Sequence, residues 1–294
     1  MKARRSDPVA YLFILPIFAF FVIYSVYPLF FNIYCSFLDW NGVSIERKFI
    51  GIKNYIDIFH DPIIKIVFRN TAIFFFATIF PQAIFGLVFA FIISKMKHLQ
   101  AFFRAFFYFP CIIPLTIICI TFKKIFEFRG GELNTFLDAL GLDNLQQVWL
   151  GEPGWSLFSL IIINIWTYIG FSMFMYCVGI TNIPDEYYDA ARIDGATEWQ
   201  LFKNITFPLL GSTHMTLILL GLINTVKTFD IPYITTSGGP AHSTEFFSTY
   251  MYSCAFGMFK QGKASAIVCV MLMLSLILTA FQLKSYGITI RKKK

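Results

Sequence analysis

Six long apolar runs joined by mostly short loops predict an all-α membrane protein. Three observations carry that reading. The 294-residue chain is 57% hydrophobic and only 14% charged, where a soluble domain carries about 25% charge. Its mean hydropathy is +0.65. Each run holds about 20 residues or more, enough for a helix to cross roughly 30 Å of hydrocarbon.

The spans read as 10–34, 70–94, 105–126, 156–181, 208–230 and 264–284. Lys2, Arg4 and Arg5 precede the first span, as in a signal peptide. That span is too long for one, lacks a small-x-small cleavage site and is followed by five more, so it reads as a retained anchor. Pro16 and Pro28 lie in the first span and Pro81 in the second, while Pro110 and Pro114 flank or kink the third. Neighbouring helices or waters can satisfy the carbonyls that such prolines release. The loop from Glu127 to Glu152 carries Glu132, Asp138 and Asp143, with a surface helix expected near Leu133–Leu140.

Loop charge sets the expected orientation. Lys2, Arg4 and Arg5, then Lys95, Lys97 and Arg104, then Arg291–Lys294 fall on one side when six spans are counted. Basic loops stay in the cytoplasm, so both termini and the insert Asp185–Lys203 are expected there. Arg47, Lys48, Lys53, Lys123 and Lys124 on the other side weaken the bias without reversing it. The net charge of +7 is explained by this asymmetry, and no nucleic-acid partner is expected. The six cysteines are scattered through apolar runs with no CxxC pair, which argues against a metal centre. The four histidines are isolated along the chain, and no catalytic residue is expected.

The insert before the fifth span has both start and stop chemistry. Pro184 suits a first turn, and Asp185 and Glu186 complement the positive end of a helix. Tyr187, Ala190, Ala191 and Asp194 follow helical spacing, and the paired alanines leave a shallow face. Gly195 supplies a left-handed stop. Thr197 and Gln200 have the spacing of a capping box for a second short helix with Trp199, Phe202 and Ile205 apolar, and Pro208 opens the next span. On local chemistry alone an amphipathic interfacial hairpin fits as well as a docking surface.

The stretch Asp189-Ala190-Ala191, Asp194-Gly195-Ala196 and Ile205-Thr206-Phe207-Pro208 resembles the EAA loop of membrane subunits of binding-protein-dependent ABC importers. That loop reads Glu-Ala-Ala, two residues, Asp-Gly-Ala, then a short helix ending Ile-x-Leu-Pro. The chain departs at Asp189 and Phe207, and the shorter Asp has less reach for a salt bridge. The resemblance covers nearly the whole chain. Phe49–Tyr55 followed by Asn70-Thr71 looks like the outer loop before the second span, and Arg104–Pro110 like the start of the third. Thr236-Ser237-Gly238-Gly239-Pro240 looks like the loop after the fifth span in first permease subunits of the maltose and glycerol-phosphate type.

The resemblance implies a single transmembrane domain over 1–294, with residues 183–207 as a cytoplasmic coupling loop, and Asp189, Ala190, Ala191, Asp194, Gly195, Ala196 and, just after the loop, Pro208 as the residues that couple to an ATPase. It implies a bacterial or archaeal plasma membrane, a second homologous permease, an ABC ATPase dimer and an extracytoplasmic solute-binding protein. No cofactor is expected on this chain. It has no Gly-x-x-x-x-Gly-Lys-Ser/Thr motif, so ATP and Mg²⁺ would be used by the partner.

Polar groups inside apolar spans are costly and mark candidate solute contacts. Asn164, Trp166, Thr167 and Tyr168 lie in the fourth span, and Asn224, Thr225, Lys227, Thr228 and Asp230 in or at the end of the fifth. Aromatic, amide and hydroxyl groups suit a sugar. In the maltose-type subunit these two helices touch sugar. Asn164 and Trp166 match that pattern, while Gly221 and Thr225 stand where it has Ser and Asn. Helix–helix hydrogen bonding is the competing explanation for each. Lys227 and Asp230 are spaced to pair across one helical turn. A glycerol-phosphate-type solute is the runner-up cargo. A secondary transporter would usually show a duplicated half and no docking hairpin, and an intramembrane enzyme would need a cluster of acids, histidines or a nucleophile within the spans.

Overall fold

The computed structural model describes residues 8–292. Lys2, Arg4, Arg5, Lys293 and Lys294, on which part of the charge bias rests, lie outside the described residues. In chain order the helices are α1 (Pro8–Phe21), α2 (Tyr27–Cys35), α3 (Lys53–His60), α4 (Pro62–Lys95), α5 (Gln100–Ile112), α6 (Leu115–Ile125), α7 (Glu132–Ala139), α8 (Trp155–Thr181), α9 (Asp185–Ile193), α10 (Glu198–Leu201), α11 (Phe207–Leu209), α12 (Gly211–Val226), α13 (Asp230–Thr236), α14 (Phe247–Tyr252) and α15 (Gln261–Lys292). A two-residue strand pair, β1 (Leu38–Asp39) and β2 (Lys48–Phe49), is antiparallel.

Four stretches are unbroken, long and apolar enough to span: Phe13–Cys35, Pro62–Lys95, Trp155–Thr181 and Gln261–Gln282. The third and fifth spans are each broken. Helices α5 and α6 meet at 87°, and the α10–α11 arm meets α12 at 58°. Counting each bent pair once gives six. The 87° bend has a local cause. Ile113, directly before Pro114, is extended at φ −67, ψ 135, the conformation that a following proline imposes. The third span, expected over 105–126 with Pro110 and Pro114 flanking or kinking it, is thus two arms broken at Ile113-Pro114.

Two prolines share another device. A π-turn at Val22–Val26 ends two residues before Pro28, and a π-turn at Phe202–Thr206 ends two residues before Pro208. Proline has no N–H for the carbonyl four residues back. In each case the wider turn closes through the residue before it, Tyr27 N–H to Val22 O and Phe207 N–H to Phe202 O. The fifth span consequently starts at Gly211, after the bend, and not at Pro208.

The chain folds into two compact units. One holds residues up to Asp61 with Met251–Leu272. Here the Asn54 amide donates to the carbonyls of Ser36 and Leu38, both at 2.9 Å, and Lys263 Nζ meets Asp61 Oδ2 at 2.6 Å. Gly262 is required at this point, because a Cβ there would lie 1.9 Å from the Leu38 carbonyl oxygen.

The other unit holds Pro62–Tyr250 with residues from Met273 onward. Its core is the α4–α8 pair. One apolar cluster gathers Phe74, Leu160, Ile163 and Phe246, and a second gathers Leu87, Ala90, Met173 and Tyr176. Small residues allow the approach, as is usual between membrane helices. A Cβ on Gly86 would meet Ser172 Cβ at 2.8 Å, and one on Gly170 would meet the Phe107 carbonyl oxygen of α5 at 1.9 Å. Helix α7 is the surface helix expected in the acidic loop.

Candidate functional site

The insert folds as two short helices around a tight turn. Helix α9 ends in a Schellman arrangement: Ala196 N–H donates to Ala191 O at 2.9 Å and Gly195 N–H to Arg192 O at 3.0 Å. Gly195 sits at φ +78, the left-handed conformation for which glycine carries no steric cost. Thr197 and Gln200 then form a reciprocal capping box at the start of α10. Tyr188 Oη and Thr206 Oγ1 lie 3.0 Å apart, closing the hairpin.

The hairpin is fastened to the end of α4. Lys95 pairs with Glu198, and Arg192 reaches Asp189 at 3.4 Å and Glu198 at 3.9 Å. Beneath these charges the Phe91 and Phe202 rings meet edge-on at 4.9 Å, and Leu201 is buried. Lys95, and more weakly Arg192, hold the Glu198 carboxyl below its ordinary value by hydrogen bonding and charge. The outer face is different. Asp189, Ala190, Asp194 and Pro208 are exposed, Ala191 and Ala196 half-buried. Ile193 is 87% and Trp199 68% exposed, so the hairpin presents apolar side chains beside acids.

A cavity of about 270 Å³ lies among α4, α6, α8, α12 and α13. Asn164, Tyr168, Gly221, Asn224, Thr225 and Thr228 all line it, as do Lys227 and Asp230. Trp166 does not. It is two residues from Asn164, about 200° around a helix, and it packs edge-on against Phe122 at 5.3 Å. Thr167 is buried and returns its hydroxyl to Ile163 O at 2.7 Å. The expected Lys227–Asp230 helical pair is also corrected. Helix α12 stops at Val226 and α13 starts at Asp230, so the two residues are not on one turn. Gly221 has a packing role, since a Cβ there would fall 1.8 Å from Ile79 Cδ1.

Sequence reasoning missed Gln82. It is buried on α4 and lines the same cavity, and its Nε2 donates to Asn164 O at 3.1 Å and to Asn164 Oδ1 at 2.9 Å. The signal was present: an amide inside the second apolar run. Two histidines are also not isolated. His214 Nδ1 lies 2.8 Å from Tyr176 Oη, and His242 Nδ1 lies 2.9 Å from Glu245 Oε2.

The Thr236–Pro240 segment is a built loop. Ser237 and Gly238 have positive φ, and Thr244 Oγ1 donates to Gly239 O at 2.6 Å. Buried Asn70 at the base of α4 donates through Nδ2 to the carbonyls of Ser243, Glu245 and His242. Gly238 leaves room for buried Glu245, whose Oε2 would stand 2.6 Å from a Cβ there.

Residues 82–285 match the family described as binding-protein-dependent transport system inner membrane component. A probable ABC transporter permease protein of Bacillus subtilis (strain 168), YurN, is 35% identical over 96% of the chain and 97% of its own length. The lactose transport system permease protein LacF of Rhizobium radiobacter is 30% identical over 98% of the chain and 97% of its length. Among solved structures, a chain of a bacterial alginate ABC transporter, in complex with an alginate pentasaccharide-bound periplasmic protein, superposes with a TM-score of 0.82. It covers 94% of this chain and 93% of that one at 21% identity, a likeness of fold.

Proposed function

Because the chain belongs to the family of inner membrane components of binding-protein-dependent transport systems, we propose that it forms one half of the gate of an ATP-driven sugar importer and that its cargo is an oligosaccharide. It works beside a second homologous permease, an ABC ATPase dimer and an extracytoplasmic solute-binding protein. ATP and Mg²⁺ are used by the ATPase, and this chain binds no cofactor. Both termini and the hairpin face the cytoplasm, as the loop charges favour.

The observation that carries the reading is the cavity. Its amides, hydroxyls and Tyr168 ring offer donors and acceptors to hydroxyls and an apolar edge to a pyranose face. It is bounded by α12, and α12 follows the hairpin after one bend. A push on the hairpin is thereby passed to a wall of the cavity. ATP-driven closure of the ATPase would tilt that wall between inward- and outward-facing states. The similarity to a lactose permease supports a neutral sugar. A glycerol-phosphate-type solute stays second, favoured by Lys227 in the lining and opposed by Asp230 in the same lining.

The complex reconstituted in liposomes tests this. ATP-dependent uptake of a radiolabelled neutral oligosaccharide is expected, reduced by Asn164→Ala and Asn224→Ala while the ATPase still copurifies. Uptake of glycerol phosphate in place of sugar would select the runner-up. Uptake without ATP, with no copurifying ATPase, would overturn the reading.

A further inference from the structure

We infer that Gln82 and Asn164 act together as a hydroxyl reader: Gln82 locks the Asn164 amide so that one donor and one acceptor face the cargo side by side. The inference rests on the sugar reading above and names a residue and a specificity beyond it.

The orientation of both amides follows from one carbonyl. The terminal atom of Gln82 facing Asn164 lies 3.1 Å from the Asn164 backbone oxygen. A backbone oxygen only accepts, so that atom is the Gln82 nitrogen. The same nitrogen lies 2.9 Å from the Asn164 side chain. A nitrogen there would set two donors against each other, so that atom is Oδ1. The two amides are fixed without reference to any ligand.

What remains is complementary. Among the described residues, Asn164 Nδ2 and Gln82 Oε1 make no hydrogen bond, and neither is one of the buried, unpartnered polar atoms. Both side chains line the cavity, so their accessible edges open into it. Asn164 Nδ2 offers N–H, and Gln82 Oε1 offers lone pairs. A sugar hydroxyl donates and accepts, and satisfies both. A carboxylate oxygen only accepts, and would place its charge against Gln82 Oε1. The pair therefore favours neutral over acidic sugars. Gln82 is a positioning residue for Asn164 as well as a contact, and its burial on α4 against α8 keeps the lock in place.

The test uses the assembled complex in liposomes with radiolabelled lactose, maltotriose and a uronic-acid trisaccharide. The variants are Gln82→Leu, Asn164→Ala and their double. Gln82→Leu is expected to raise KM for the neutral sugar about tenfold with a smaller change in kcat, the effect of one lost hydrogen bond. In the Asn164→Ala background the same change should cost clearly less than in the wild type, since the lock then has nothing to hold and only the Gln82 Oε1 contact is left to lose, so the two single effects should sum to more than the double. Preference for neutral over acidic sugar should narrow. Where Gln82→Leu fails to assemble, Asn164→Asp serves. It keeps the oxygen that Gln82 bonds but replaces the cavity-facing N–H donor, and should lose neutral-sugar uptake. Additive single effects, a loss confined to kcat, or wild-type uptake by Asn164→Asp would overturn the pair alone. A wild-type complex that takes up none of the three sugars would overturn the sugar reading, and the pair with it.

Discussion

Tyr188 Oη and Thr206 Oγ1 lie 3.0 Å apart, joining the two arms of the hairpin across its glycine turn. Thr206 is buried and is the last residue of the π-turn before Phe207-Pro208, so the bond runs from the exposed α9 arm to the root of the fifth span. With Leu201 buried and Glu198 fastened to Lys95, the hairpin has few ways to flex internally. Force applied to α9 is delivered to the root of the fifth span and, through Lys95, to the end of α4. Three contacts of different chemistry converge on one rigid element, and they set the first two predictions.

Gly195→Val should retain membrane insertion and lose transport. No atom lies within 4 Å of a Cβ built on Gly195, so the cost is not a clash. It is backbone strain at φ +78, of about 1–3 kcal/mol for a branched residue. That strain would turn the capping box at Thr197 away from its present path. Gly195→Asn, which tolerates the left-handed region, should keep most of the transport. Uptake and ATPase copurification measured on both variants separate strain from mere substitution.

Lys95→Glu should loosen the hairpin from α4 and lower uptake, and the exchange Lys95→Glu with Glu198→Lys should restore it. Both partners are substantially exposed, so solvent screening limits the pair to about 0–1 kcal/mol of stability. The effect belongs to coupling more than to melting. The pH sign follows from the lowered carboxyl pKa. The pair contributes above the ordinary value of 4.5 and is lost as pH falls through the lower folded value. Wild-type hairpin attachment should therefore be flat across neutral and mildly acidic pH. Spin-label distances between α4 and α10 would check this, and a transition near pH 6 would count against it.

Gly170→Ala should destabilise the α5–α8 crossing. The added Cβ would stand 1.9 Å from the Phe107 carbonyl oxygen, and backbone cannot rotate away. Overpacking of this kind costs about 1–3 kcal/mol, visible as a lower Tm of the detergent-solubilised complex. Gly221→Ser is the contrast. Its clash is with the tip of the Ile79 side chain, so pairing it with Ile79→Ala should recover the loss. Such recovery would show that the Ile79 side chain, and not backbone, limits the size of the residue at 221.

Much of this architecture was legible because membrane physics writes it in single-residue terms. Run length gave the spans, Gly195 the left-handed stop, and Thr197 with Gln200 the cap. The sequence is silent where neighbours decide. Helix α4 begins at Pro62, eight residues before the apolar run from 70. Its 34 residues rise about 51 Å, more than hydrocarbon requires, and hydropathy does not see the part beyond the membrane core. Asn164 and Trp166 both match the maltose-type pattern in the fourth span, but helical phase separates them and only Asn164 lines the cavity. The apolar run carries the fifth span on to Asp230, though the helix ends at Val226. Gln82 shows in the sequence as an amide inside an apolar run, but its pairing with Asn164, 82 residues away, is announced by no local pattern.

Asn70 gives the last prediction. Its Nδ2 reaches the carbonyls of Ser243, Glu245 and His242 at 3.0, 3.1 and 3.3 Å, two N–H groups shared among three acceptors. Asn70 and Glu245 are buried, so no solvent replaces a donor removed there. Asn70→Ala should leave the Ser243 and Glu245 carbonyls without this donor, while His242 O keeps the Glu245 N–H at 3.1 Å, at about 1–3 kcal/mol for each buried group left unsatisfied, and release the 236–245 loop. Asn70→Asp should be at least as damaging. It keeps the size but sets a carboxylate against three carbonyl oxygens, with no N–H to offer. In inside-out and right-side-out vesicles, limited proteolysis should cut the loop in both variants and spare it in the wild type, with the spans still inserted. An intact loop in Asn70→Asp would mean that Ser156, 2.9 Å from the Ser243 hydroxyl, and the Thr236–Thr244 contact at 2.7 Å are enough to hold it.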